Sequence, residues 1–431
     1  MRKYKNIVLS SIVVASFVLL LHLIPNLGNQ LLQSYAQDTN ITAIEKNSSE
    51  TTLNDNSTIV AQKISKDDEP KGPFIGVAMK GYWTKTNQGK ELNNEPPTNY
   101  FDESFKILSE AGLNHVRFLM YWESYVKNPT EFVNEIKQVA EAGDKWNIKI
   151  LYDNHQWHTS SWFEKIGTGF PSFLFDNNPS VYQKRSGGNT DSGSAQQWWT
   201  DWWSGKINDS KGNAGWQLQA DYLKTIVELV DDHKSTLGYE ILSEPQVHSK
   251  SQWTQIGKYN SFMVDFLRQY TDKTLVYSMN IPVDLDSNID VTPENLAKMA
   301  PADKTNVAFK ISVYGLPDRD QYQKERFNVF LKTSELAEVP LYIGEWNEVV
   351  RTKQGGVYKL NAAESDITQD KVNKFLKTFT NEGVYGMAYW KWDYNFNDLP
   401  NFNLIEVKNN AVTPTKYFNQ LKEGIDTFIN K

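Results

Sequence analysis

The feature that most constrains this chain is a set of eight short apolar segments, each long enough for one strand, separated by longer amphipathic stretches. They are Phe74–Tyr82, His115–Trp122, Lys149–His155, Leu237–Glu244, Thr274–Asn280, Val307–Tyr314, Pro340–Trp346 and Val384–Trp392. The stretches between them carry helical period. Phe132, Val133, Ile136, Val139 and Ala140 form one apolar stripe, and Val372, Phe375, Leu376 and Phe379 another, with charges on the opposite faces. Such alternation is the sequence signature of βα units around a parallel sheet. With seven intervening helices and a last one near Lys416–Ile429, the expected α/β fold is a closed (β/α)8 TIM barrel. An open, doubly wound sheet is the alternative. It loses ground because Met79, Lys80 and Gly81 stand after the first strand, where a nucleotide fold needs a Gly-rich phosphate loop.

The chain ahead of the barrel reads differently. Arg2, Lys3 and Lys5 precede a low-charge run from Ile7 to Ile24, so residues 1–36 are expected to be a signal peptide or an N-terminal membrane anchor. Residues 37–71 are rich in Asn, Ser, Thr, Asp, Glu and Lys. With no aromatic residue between Tyr35 and Phe74, the segment reads as a disordered polar linker. The catalytic domain is then 72–431. The expected location is extracellular, either secreted or held on the outer face of the cell membrane through residues 7–24. A net charge of −7 with both signs interspersed gives no footprint for nucleic acid, and the absence of cysteine removes thiol nucleophiles and thiolate metal sites.

In a barrel of this kind, chemistry sits at the C-terminal ends of the strands. Those ends are polar and ring-rich here: Tyr121 and Trp122, then Asp153 to His155, Ser243 to Pro245, Ser312 to Tyr314, Gly344 to Trp346, and Tyr389 to Trp392. Glu244 closes an apolar strand, where an unpaired charge is costly, although Ser-Glu-Pro also suits a helix start. Glu345 closes the seventh strand in the same way, with a structural salt bridge as its bland reading. On strands four and seven of one barrel the two carboxylates can face each other across the mouth. Glycoside cleavage with retention needs such a pair, about 5–5.5 Å apart.

These strand ends resemble glycoside hydrolase family 5, the cellulase family. The resemblance rests on Gly112 to Arg117, Asp153 to His155, Gly238 to Pro245, Pro340 to Glu345 and Tyr389-Trp390, taken in order. It implies that Glu244 is the acid/base and Glu345 the nucleophile. It further implies that Arg117 and Tyr314 hold the nucleophile, that His155 binds the sugar, and that Trp390 is the platform under the ring at the cleavage point. The sequence departs from the family in two places. Ser243 replaces the Asn that reaches the sugar 2-hydroxyl, leaving a shorter side chain for that substrate contact, and Ser312 stands where the family often has His.

The insertion Gln156–Gly212 holds six of the 14 Trp. Trp157, Trp198 and Trp199 are candidate extra subsites for a sugar chain, with packing of the insertion onto the barrel as the competing reading. Its middle, Arg185 to Ala195, is Gly- and Ser-rich and reads as a mobile loop. Asp201 and Asp209 show no metal-ligand spacing, and the mechanism implies no cofactor. The expected activity is cellulase-like endo-β-1,4-glucan cleavage, with a β-mannanase or other β-glycanase as the alternative. A non-catalytic surface carbohydrate-binding protein is the alternative of another class.

Overall fold

The computed structural model describes residues 72–83, 99–187, 193–280, 289–354, 357–361, 363–393, 400–408 and 411–429. The expected leader (1–36) and linker (37–71) lie outside the described residues. Among the described residues, no helix is long and apolar enough to cross a membrane.

The strands are β1 (Phe74–Lys80), β2 (His115–Met120), β3 (Lys149–Asn154), β4 (Thr236–Glu240), β5 (Thr274–Ser278), β6 (Val307–Tyr314), β7 (Leu341–Asn347), β8 (Arg351–Gln354), β9 (Val357–Leu360), β10 (Gly386–Tyr389), β11 (Ile405–Lys408) and β12 (Ala411–Pro414). Eight of them close a parallel barrel in the order β1-β10-β7-β6-β5-β4-β3-β2. The helices are α1 (Tyr100–Glu110), α2 (Trp122–Lys127), α3 (Pro129–Trp146), α4 (Gly193–Trp203), α5 (Gly215–Val230), α6 (Gln252–Leu267), α7 (Pro293–Ala297), α8 (Gln321–Ala337), α9 (Gln369–Asn381) and α10 (Lys416–Ile429). Thr292, Asp320 and Thr368 cap α7, α8 and α9, each side chain accepting from the backbone N–H three residues on.

Alternate strand residues face opposite ways. Val77, Met79, Val116, Phe118, Ile150 and Tyr152 belong to the cluster that includes Phe132, Ile136 and Val139 of α3 and Phe375 and Phe379 of α9. On the other face, Leu151, Val276, Ala308 and Tyr342 pack together inside the barrel. Two residues further along β3 and β6 come Asp153 and Lys310, which with Arg117 of β2 and Glu240 of β4 are fully buried. A floor of apolar side chains therefore carries a layer of charge at the C-terminal end of the strands.

Strand β7 breaks the alternation to serve that layer. Its pairing with β6 slips between Ile311 and Ser312, so Tyr342 stands opposite Lys310 while Glu345 stands opposite Ser312. The extra residue is Gly344. A Cβ there would lie 2.3 Å from Lys310 Cε, so only glycine lets the lysine stem pass. Bulges of this kind re-aim a side chain, and here it is Glu345.

The eight barrel strands are those expected, but several end sooner. The residues from Tyr121, Ile241 and Trp390 onward leave the sheet to build the mouth. The antiparallel hairpins β8–β9 and β11–β12 were not anticipated. The insertion also corrects an expectation. Trp198, Trp199, Trp202 and Trp203 are all at most 1% exposed on α4, in ring contact with one another and with Phe170, Phe175 and Tyr259. Trp198 and Trp199 therefore have no face for a sugar; they pack the insertion against the barrel. Helix α4 begins at Gly193, inside the stretch expected to be a mobile loop, of which residues 188–192 lie outside the described residues.

Candidate active site

Arg117 is the hub of the polar layer. Its Nε donates to Glu240 Oε2 at 2.8 Å, Nη1 to Glu345 Oε1 at 3.1 Å, and Nη2 lies 2.9 Å from both Asp153 Oδ2 and Ser243 Oγ. One rigid guanidinium thus ties β2 to β3, to β4 and the loop after it, and to β7. Burial opposes its charge, and Asp153, Glu240 and Glu345 outweigh burial and hold it protonated.

Glu345 is held from three sides. Besides Arg117, Tyr314 at the end of β6 donates its hydroxyl to Oε2 at 2.6 Å, and Lys310 Nζ lies 3.6 Å from Oε1. Burial pushes the carboxyl up. The Lys310 and Arg117 cations, His155 and the Tyr314 hydroxyl more than offset it, and the carboxyl sits at about 2. Glu345 is therefore ionised at any ordinary pH.

Glu244 stands beyond β4 with a backbone φ of 44°, in the left-handed region that non-glycine residues rarely adopt. That conformation is fastened on both sides. Its N–H donates to Ser278 Oγ at 3.0 Å, and Gln156 Nε2 donates to the carbonyls of Ser243 and Glu244 at 3.1 and 2.7 Å. Its Oε1 accepts hydrogen bonds from Ser312 Oγ and from Lys310 Nζ, the latter at 3.4 Å. Because the same ammonium reaches Glu244 Oε1 at 3.4 Å and Glu345 Oε1 at 3.6 Å, those two oxygens lie no further apart than the two lengths laid end to end.

The remaining predicted residues divide. His155 Nδ1 is 2.8 Å from Asp153 Oδ2, its ring stacks on Trp390 at 5.7 Å, and Tyr121 meets it edge-on. Burial and the Arg117 charge push its pKa down to about 3, so the ring is neutral. With Nδ1 engaged by Asp153, Nε2 is the ring nitrogen left for a further partner. Trp390 joins an apolar cluster with Ala78, Leu119, Tyr121, Val349, Ala388 and Phe402, against which Tyr314 packs. Lys391 Nζ lies 4.8 Å from its ring centroid. Trp157 is 48% exposed, stacked on His158 and bridged to Thr168. Ser243 does not follow expectation: it is fully buried and its oxygen accepts from Arg117 Nη2, so that lone pair is engaged inside the protein.

Burial pushes Asp153 up to about 7 and Glu240 upward as well, despite Arg117 beside both. Among the described residues, Asp153 Oδ1 and Glu240 Oε1 are buried without hydrogen-bond partners. The layer holds more carboxylates than cations, and these inner two carry the strain. Lys310, Asp153 and Glu240 were given no role from the sequence, although Asp153 opens one of the motifs. Each had a signal, for they are charged residues on the inward-facing period of otherwise apolar strands.

An ionised carboxylate fixed by two cations and a hydroxyl, with a second carboxylate reached by the same lysine, can perform nucleophilic displacement with acid/base assistance. The family model described as cellulase (glycosyl hydrolase family 5) matches residues 76–396. No curated protein matches the chain. The fold is similar to solved structures at low identity. One is endo-glycoceramidase II from Rhodococcus sp. as a lactosyl-enzyme intermediate, with a TM-score of 0.57 and 15% identity over 83% of this chain and 79% of that one. Another is an endogalactoceramidase, with a TM-score of 0.56 and 15% identity over 74% and 71%. A third is a glycoside hydrolase family 5 enzyme from Prevotella bryantii, with a TM-score of 0.52 and 10% identity over 83% and 99%.

Proposed function

We infer the reaction from one premise: this chain belongs to glycosyl hydrolase family 5 and is a glycoside hydrolase. On that premise, Glu345 is the nucleophile and Glu244 the acid/base of a double displacement on a β-linked glycan. A Glu345 oxygen attacks the anomeric carbon as the bond to the leaving oxygen breaks and that oxygen takes the Glu244 proton. Glu244, now a carboxylate, takes a proton from water. The resulting hydroxide oxygen forms the new bond to the anomeric carbon and Glu345 leaves, so the configuration is retained. The observation that carries this reading is the pair itself: two carboxylates, one just beyond β4 and one on β7, both within 4 Å of one ammonium.

The other residues take supporting roles. Arg117 and Tyr314 orient the nucleophile. Trp390 offers an aromatic face to the sugar, and His155 its second ring nitrogen to a hydroxyl. Exposed Trp157 is suited to a more distant sugar. Ser243 acts through Arg117. Cellulase-like endo-β-1,4-glucanase action is the leading activity, with β-mannan as the alternative polymer. A second reading, release of a glycan from a lipid, is favoured by the endoglycoceramidase neighbours, one of which is described as a ganglioside GM3 complex. The basic flank and apolar run of residues 2–24 support export, to be checked by fractionation of the expressing cell.

The test is sugar release by the purified full-length chain from β-1,4-glucan, mixed-linkage glucan, xyloglucan, β-mannan and a glycosphingolipid, beside Glu345→Ala. Release from one substrate that disappears in the variant supports the reading and names its class. Glycan binding by both proteins without release from any substrate overturns it in favour of a binding protein.

A further inference from the structure

The roles above leave out the buried charge of Lys310. Lys310 is a lysine in the middle of strand β6, with its side chain fully buried. Its ammonium donates to Glu244 Oε1 at 3.4 Å and to Ser312 Oγ at 3.1 Å, and forms an ion pair with Glu345 Oε1 at 3.6 Å. Ser312 in turn donates its own hydroxyl to Glu244 Oε1. The arrangement is directional. The serine accepts from the lysine and donates to the carboxylate, so Ser312 and Lys310 act as one clamp on Glu244.

The surrounding fold is cut to admit this side chain. The β7 bulge brings Glu345 opposite Ser312, and a Cβ at Gly344 would collide with Lys310 Cγ and Cε at 2.7 and 2.3 Å. A buried lysine with nothing to pair it is expelled or neutralised. Here burial opposes the charge, and Glu244 and Glu345 outweigh it and push the amine above its ordinary value. The cation is thus a permanent part of the mouth.

Resting on the double-displacement reading above, we propose that Lys310 is a positioning residue of the reaction centre, whose ammonium fixes the distance between Glu244 and Glu345 and supplies the counter-charge for the nucleophile. It works among other charges. Arg117 from β2, His155 from the end of β3 and Tyr314 from β6 act on Glu345, Asp153 from β3 interacts with both carboxylates, and Glu240 from β4 acts on Lys310 itself. Arg326 of α8 acts on Glu244 from outside the layer. Of these, Arg117 and Lys310 are the cations in contact with Glu345. Arg117 is shared with Asp153 and Glu240, whereas Lys310 is shared with Glu244, so the two cations divide the work between a static anchor and the reacting pair.

The experiment uses the full chain and two variants. Lys310→Gln keeps hydrogen-bonding groups without the charge, and Lys310→Met keeps the length without either. Thermal melting reports folding. The Glu345 carboxyl is followed by 13C NMR of glutamate-labelled protein, assigned through Glu345→Gln, which needs no catalytic activity. The pH profile of kcat/KM is measured on the best substrate. An opposite charge at this range moves a carboxyl by about one to three pH units. Lys310→Gln is therefore expected to titrate Glu345 at least about one unit higher, with the acid limb of kcat/KM following and kcat falling more than KM rises. Glu345 titration and an acid limb that coincide with wild type in Lys310→Gln overturn the proposal, whatever happens to the rate. If no glycan is cleaved by wild type, the function reading fails. The NMR titration still decides whether Lys310 supplies the counter-charge.

Discussion

Replacing Tyr314 by Phe removes one hydroxyl and leaves the ring packing on Phe402, whose centroid lies 6.0 Å away. What is lost is the 2.6 Å O–H donation to Glu345 Oε2. A hydrogen bond to a charged acceptor contributes about 1.5–3 kcal/mol. At about 1.4 kcal/mol per pK unit, its removal raises the Glu345 carboxyl by roughly one to two units. The sign follows from the form that is favoured. The bond stabilises ionised Glu345 and helps hold its pKa at about 2, so the variant moves toward the ordinary 4.5. Activity requires the ionised nucleophile and is lost as pH falls through that pKa, so the acid limb of kcat/KM moves to higher pH. Looser positioning adds a loss on the order of tenfold to a hundredfold at the optimum. The assay is kcat/KM from pH 2.5 upward on one soluble substrate, with melting curves to confirm the fold at each pH (pH 2.5 being about half a unit above the nucleophile). A Tyr314→Phe enzyme with the wild-type rate and acid limb refutes the assignment of Glu345 as the nucleophile held by Tyr314.

Other expectations follow from the same contacts. Glu244→Ala should cripple cleavage of natural glycosides yet spare the first step on aryl glycosides with acidic leaving groups, and added azide should restore turnover and yield the β-glycosyl azide; unchanged leaving-group dependence contradicts the acid/base role. Trp198→Ala should lower unfolding stability by about 3–5 kcal/mol in urea titrations, because the ring is fully buried, whereas Trp157→Ala should alter KM with little change in stability. His115 is buried between Lys149 O and the Tyr342 hydroxyl, and burial pushes its pKa down to about 4. Between pH 6.5 and 4 the unfolded chain binds the extra proton, so stability falls with pH by about 3 kcal/mol from this group. His155 acts in the same direction, and Asp153, raised to about 7, opposes it. His115→Gln should therefore lose less stability than wild type across that window; an identical loss contradicts the account.

The strands were legible because each buries one face on helices and one in the barrel, which writes continuous apolar runs into the sequence. Their ends were read too long because the mouth loops continue with the same ring residues, as at Tyr121-Trp122 and Trp390 to Trp392. The hairpin beginning at Arg351 was hidden by its brevity: Arg351 to Gln354 has no apolar period. The α4 tryptophans carried a signal that points to packing rather than to a sugar. Trp198 and Trp202, like Trp199 and Trp203, are four apart, the spacing of a helix face turned inward. Glu244 and Glu345 could be found because each follows an apolar run in the sequence, although Glu244 lies beyond the end of β4 and Glu345 within β7. Lys310 could not be placed between them from sequence, since the orientation of Glu345 toward it depends on a one-residue bulge at Gly344 that no local pattern announces.

The central claim is that Glu244 and Glu345 cleave with retention, and the first anomer released from the preferred substrate tests it most directly. Proton NMR of a concentrated reaction, recorded before mutarotation, should show the β-anomer appearing first and the α-anomer only later. If the α-anomer appears first, the carboxylates act by inversion and the covalent role of Glu345 is wrong.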